Sequence, residues 1–217
     1  MKLLVIRPQP GADATAARVK AAGHEALMMP LFGVEPVAWD LPTADDYDSV
    51  LLTSANAVRQ AGPQLAALTH LPVVAVGEVT ARAARHAGLM VSHTGDAGAE
   101  ALFSEVQDWR LLWLAGEDRT EIIAPESVRI EIRVVYRSAI LPVATNFSEM
   151  TLAADYVLLH SARAAEHFAS LVADQRFDKA AISIAALSGK IAVAAGDGWR
   201  SVHVAPQPND AALLSCL

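Results

Sequence analysis

The sequence predicts an α/β protein built on parallel sheets that are covered on both faces. Two observations carry that prediction. Short runs rich in Val, Ile and Leu recur along the chain, each followed by an Ala-rich stretch with helical spacing and then by Gly, the order strand, helix, turn. The runs are also continuously apolar rather than alternating, as strands are when both faces of their sheet are dry. With 217 residues, 53% of them hydrophobic and 19% charged, the chain can bury a real core.

In chain order, strands are expected near Lys2 to Ile6, Ala26 to Met29, Ser49 to Leu52, Val73 to Val76, Leu111 to Leu114, Ile130 to Val135, Tyr156 to Leu159 and Ile182 to Ala185, with helices between them. The first run, Leu3-Leu4-Val5-Ile6, is closed by Arg7-Pro8 and is too short for a signal-peptide core or a membrane span, so a cytoplasmic protein is expected.

An internal repeat says more than any one element. The segment YDSVLLTSANAV, Tyr47 to Val58, returns as ADYVLLHSARAA, Ala154 to Ala165, with Leu51 opposite Leu158 at an offset of 158 − 51 = 107 residues. AVGEVTARAARHAG, Ala75 to Gly88, lines up with AALSGKIAVAAGDG, Ala185 to Gly198, at 198 − 88 = 110. LLVIRP and LLWLAG stand in matching places, each leading into a helix and a further strand. Two copies of one βα module explain the pattern. Gly33 to Ala38 and Tyr136 to Pro142 are extended, Pro-bounded segments suited to pairing as a two-stranded hinge, which makes the first domain discontinuous.

Composition excludes several classes. A formal charge of −7 argues against a nucleic-acid surface, and no helix-turn-helix segment or basic face supports a gene regulator. The single Cys216 gives no disulfide framework and no Cys metal site. The chain has no phosphate loop, no Gly-x-Gly-x-x-Gly after a strand and no His-Glu-x-x-His, and Gly95 with Gly98 is a weak anion-loop signal. The seven His residues lack ligand spacing, with His160 and His167 read as surface or cleft polar groups. Trp39, Trp109, Trp113 and Trp199 are read as core or hinge packing, and Asp45-Asp46 as a turn pair.

Six ordered blocks then resemble the uroporphyrinogen-III synthase family over essentially the whole chain: IRP with KAAGHEALMMPLF; DSVLLTSANAV; VVAVGEVTARAARHAG; LAGEDR leading to VRIEIRVVYRS; DYVLLHSARAAEHF; and IAALSGKIAVAAGDGW followed by VAPQP. The resemblance implies two flavodoxin-like parallel-sheet domains from a duplicated unit, joined by a two-stranded β-ladder hinge, with residues 1–35 plus 143–217 in one domain, 36–142 in the other and the site in the cleft between them. It implies a cofactor-free lyase that cyclises hydroxymethylbilane. Water is lost from the hydroxymethyl group, the last pyrrole ring is inverted through a spiro intermediate, and the macrocycle closes. The implied partner is that substrate alone, handed over by hydroxymethylbilane synthase to a monomer that binds neither nucleic acid nor membrane. A hinged, non-catalytic module for an anionic metabolite would have a similar sequence.

A polycarboxylate substrate needs hydrogen-bond donors, which a net-acidic chain supplies from helix N-termini and isolated cations. Ser54 and Ser161 follow their strands at the turn into a helix, where a hydroxyl either contacts a carboxylate or caps the helix. Thr80 stands at the expected start of a helix, and Gly77 lets backbone approach a ligand. The matching turn, Ser188-Gly189-Lys190, lacks the Thr of the family's motif, and Lys190 offers a cation instead. Arg7 and Arg119 follow corresponding strands and suit carboxylates in two-point contact, with a salt bridge to Glu117 or Asp118 as the other reading of Arg119. Tyr136 matches the Tyr that the resemblance implies assists departure of the hydroxyl; its other reading is an aromatic filling the hinge.

Overall fold

Side chains that enter two opposite cores in alternation organise both sheets. The computed structural model describes residues 1–95 and 109–217. The chain divides into two compact units, Met1–Gly33 with Ala139–Leu217, and Val34–Ser138.

The first unit contains β1 (Lys2–Val5), α1 (Gly11–Ala21) and β2 (Glu25–Met28). Its later part contains α4 (Phe147–Ala153), β9 (Tyr156–Leu159), α5 (Ala162–Asp174), β10 (Ser183–Ala186), α6 (Gly189–Ala195), β11 (Ser201–Val204) and α7 (Asp210–Ser215). Spatially the strands run β2-β1-β9-β10-β11, every neighbouring pair parallel. Leu4, Val157, Leu159 and Ile184 face one layer with Phe147 of α4 and Phe168 of α5, whereas Leu3, Val5, Leu158 and Ala185 face the other with Val19 of α1 and Leu213 of α7. Alternate residues of each strand thus enter opposite cores, which is why these strands read as unbroken apolar runs.

The second unit takes in most of β3 (Phe32–Pro36), then β4 (Ser49–Leu52), α2 (Ala55–Gln60), β5 (Pro72–Val76), α3 (Glu78–His86), β6 (Met90–Gly95), β7 (Arg110–Gly116) and most of β8 (Arg129–Ile140). The order is β3-β8-β7-β4-β5-β6, parallel from β8 to β6. Val50, Leu52, Val73, Leu112 and Leu114 pack with α2 and α3, and Leu51, Val74, Leu111 and Trp113 with the opposite cluster. Val37 N–H donates to Val135 O at 3.0 Å and Arg137 pairs with Glu35, so the chain leaving β3 runs antiparallel to β8.

Two strands, β6 and β11, have no counterpart among the extended segments expected from the sequence. β6 and β11 alternate exposed and half-buried residues along their length, so neither presents the apolar run that marks a central strand. β3 overlaps Gly33 to Ala38, the segment expected from the sequence as an extended, pairing linker. Tyr136 to Ile140, in the second segment expected to be extended and pairing, continue β8 with no break. Among the described residues no helix is long and apolar enough to cross a membrane.

Candidate functional site

In an open parallel sheet the ligand crevice lies beyond the carboxyl ends of the strands, where the strand order reverses direction. In the second unit that reversal falls between β4, from which β5 and β6 run outward, and β7, from which β8 runs the other way.

At the carboxyl end of β7 the register to β8 shifts: Ala115 pairs with Val134 but Gly116 with Tyr136, leaving Val135 as the extra residue of a bulge. A bulge re-aims the side chain that follows it. Val135 and Tyr136 accordingly pack against the same core cluster, although neighbours in a regular strand would face opposite ways. The Tyr136 ring is laid over Gly116, where an added Cβ would stand 2.6 Å from Cζ and 2.8 Å from the phenol oxygen. Glycine at 116 is therefore what allows this aromatic to cross the end of β7. Arg119 meets the same residue from the following loop: one guanidinium nitrogen donates to the carbonyls of Gly116 and Glu117, both at 3.2 Å. Backbone oxygens thus fix the guanidinium at the strand end, an anchor that neither sequence reading of Arg119 anticipates. The structure so brings Tyr136 and Arg119 to one glycine.

Across the reversal, Thr53 Oγ1 accepts from Trp113 Nε1 at 3.2 Å, and Ser54 caps α2 by accepting from Asn56 N–H at 3.2 Å. Capping uses a lone pair of the hydroxyl and leaves its proton available to a carboxylate, so the two sequence readings of Ser54 are compatible. Gly77 adopts φ +80° as the N-cap of α3, a conformation that costs other residues strain, and a Cβ there would meet nothing within 4 Å. Its importance is therefore conformational. Thr80, in the first turn of α3, is 5% exposed. Gly98 lies outside the described residues.

In the first unit the reversal falls between β1 and β9. Arg7, past the end of β1, donates to Thr15 Oγ1 at 3.2 Å and stands 3.9 Å from Asp210. Asp210 opens α7 with its side chain 6% exposed, and it accepts from Thr15 Oγ1 at 2.8 Å, Arg18 at 2.9 Å and His160 Nε2 at 2.9 Å. The hydrogen bonds from His160 and Thr15, with the charge of nearby Arg7, outweigh burial and hold its carboxyl well below the usual carboxylate range. The sequence reading of His160 as a surface or cleft group is corrected: its side chain is 5% exposed and its Nδ1 is buried without a partner among the described residues. No linear pattern exposes this cluster, since residues 15 and 18 meet residue 210 across separations of 195 and 192.

Ser161 caps α5 by accepting from Ala164 N–H at 3.2 Å, whereas Ser188, in the same position for α6, makes no cap bond. Ser161→Ala is expected to cost about 1 kcal/mol of unfolding free energy and Ser188→Ala less than about 0.5 kcal/mol, as read from chemical denaturation midpoints. Lys190 is exposed in the first turn of α6. Trp39, Trp109, Trp113 and Trp199 all pack into or against the cores. No group of three His, Cys, Asp or Glu able to hold a metal occurs among the described residues.

Residues 13–215 match the family described as HEM4: Uroporphyrinogen-III synthase HemD. Comparison with curated proteins gave no match. Among solved structures, the uroporphyrinogen-III synthetase of Helicobacter pylori 26695 is similar at 17% identity and a TM-score of 0.65, over 99% of this chain and 97% of that one. A mutant uroporphyrinogen-III synthase from the extremely thermophilic bacterium Thermus thermophilus is similar at 16% identity and a TM-score of 0.50, over 99% and 96%. At such identities the likeness concerns the α/β fold.

Proposed function

Because the chain belongs to the uroporphyrinogen-III synthase family, the lyases that cyclise hydroxymethylbilane with inversion of ring D and loss of water, we propose that Tyr136 is the group that assists departure of the hydroxyl. The observation that carries this reading is the half-buried phenol seated on Gly116 at the carboxyl end of β7. A tyrosine phenol in water keeps its proton at neutral pH, so it can donate to an oxygen as that oxygen leaves. Loss of water generates the electrophile that the terminal pyrrole then attacks. Arg119 on the same glycine, with the hydroxyls of Ser54, Ser161 and Ser188, the turn at Gly77 and Thr80, and the cations Arg7 and Lys190, supplies donors for the substrate carboxylates.

We take the two units to be copies of one flavodoxin-like module. Matching β1, β2, β9, β10 and β11 with β7, β8, β4, β5 and β6 gives both sheets the same spatial order, and the pairs β4 with β9 and β5 with β10 carry the sequence repeats. On this reading the chain passes between the modules through the β3 and β8 ladder, and the first domain is discontinuous. The protein acts as a cytoplasmic monomer that receives its substrate from hydroxymethylbilane synthase.

The test is incubation with enzymatically generated hydroxymethylbilane, followed by chromatographic separation of the type III isomer from the type I product of spontaneous closure. Dominant type III isomer is expected. A product ratio equal to that of the enzyme-free control would leave only a binding module.

A further inference from the structure

In the first unit, a pocket of about 460 Å³ opens beside the Asp210 cluster, lined by Arg7, Gly11, Arg18, Leu187, Asn209 and Asp210 among others. It sits where ligands are expected in such a sheet, for Arg7 follows β1, Leu187 follows β10 and Asp210 follows β11. Its volume is within the range of small-molecule sites. Arg7 and Arg18 bring two guanidinium groups to one carboxylate, so the cluster keeps an excess of positive charge in a chain whose formal charge is −7.

Asp210 is also fully engaged. One oxygen takes Thr15 and Arg18 and the other takes His160, while Thr15 accepts from Arg7 as it donates to Asp210. Asp210 therefore sets the guanidinium positions and still leaves most of their donors uncommitted among the described residues. Gly11 completes the arrangement. A Cβ there would lie 2.6 Å from Arg7 Nε and 2.8 Å from Cζ, so glycine lets the Arg7 guanidinium rest on the first turn of α1.

We propose that this pocket is a carboxylate subsite in which Arg7 and Arg18, positioned by Asp210, take one acidic side arm of the tetrapyrrole substrate. The proposal rests on the functional reading above. It assigns Arg18 a binding role and Asp210 a positioning role, neither visible in the linear sequence. Hydrogen bonds to charged groups are the stronger kind, so loss of one such contact is expected to weaken substrate binding by about 10-fold or more.

Steady-state kinetics on hydroxymethylbilane would compare wild type with Arg18→Gln, Arg18→Lys and Gly11→Ala. The expected result is a KM raised about 10-fold in Arg18→Gln with kcat changed less than about 2-fold, partial recovery in Arg18→Lys, and a raised KM in Gly11→Ala, which displaces Arg7 without removing it. Titration of the wild-type protein with succinate at constant ionic strength, followed by the arginine Nε–H NMR signals, gives a readout independent of how the variants fold. Arg7 and Arg18 signals should move with succinate and not with chloride. Unchanged KM values, or signals that stay fixed, overturn the subsite while type III product from wild type leaves the family activity standing. Wild type that makes no type III isomer would remove both.

Discussion

Tyr136→Phe is expected to slow single-turnover formation of the type III isomer by up to about 10²-fold, at the low end of what proton donation by a positioned side chain contributes. The magnitude stays at that end because much of this reaction is holding two ends of a flexible chain together, a task the phenol oxygen does not perform. The substitution isolates the chemistry well, because the ring keeps its packing against Gly116 and the core after the oxygen is removed. Thermal stability should therefore hold while the rate falls. Gly116→Ala approaches the same oxygen from the other side: the new methyl would overlap the ring at 2.6 Å and push the phenol off the end of β7, so it should lower kcat with the tyrosine still present. Single-turnover rates equal to wild type in both variants would remove Tyr136 from the mechanism.

How much of this is legible in the sequence depends on whether neighbours along the chain or neighbours in space set the outcome. Ser49–Leu52 and Tyr156–Leu159 are readable because Val50 to Leu52 and Val157 to Leu159 are buried on both faces, so an apolar run marks the body of each strand. β6 and β11 are not, because they are edge strands: the consecutive Ser92-His93-Thr94 breaks the apolar run of β6, and Ser201 and His203 alternate with exposed Val202 and Val204 in β11. The α/β class with parallel sheets follows from the repeated order of elements. In the candidate site, Tyr136 can be singled out by its place in a block, but its seating on Gly116 depends on a bulge that has no sequence signal. Arg7 is legible from the strand end it follows. Its partners Thr15, Arg18, His160 and Asp210 are not, because α1, β9 and α7 converge only once the sheet has formed. His160 shows the limit plainly: a histidine before a capping serine looks solvent-facing until an aspartate from the far end of the chain covers it.

Asp210→Ala is expected to cost about 2 to 3 kcal/mol of folding stability, the usual penalty for losing hydrogen bonds to a charged group and leaving a buried polar group unsatisfied. Arg18 and Thr15 would lose their shared acceptor, and buried His160, whose Nδ1 already lacks a partner among the described residues, would be left with neither ring nitrogen satisfied. Against a total of about 5 to 15 kcal/mol for a typical domain, that loss should bring the urea midpoint down sharply. Asp210→Asn separates charge from shape, since the amide keeps one acceptor but turns N–H donors toward groups that are themselves donors. The pH dependence then fixes the sign. Because the folded protein holds this carboxyl well below the usual range, the unfolded chain takes up its proton first as acid is added. The stabilisation from Asp210 is therefore complete above the ordinary carboxylate value near pH 4 and drains away as the pH falls toward the folded value. Urea midpoints measured from pH 7 down to about pH 3 should show wild type converging on Asp210→Asn only in the acidic limb. A gap that stays constant through that limb would mean that the carboxylate is not the ionised hub on which Arg7, Arg18 and His160 depend.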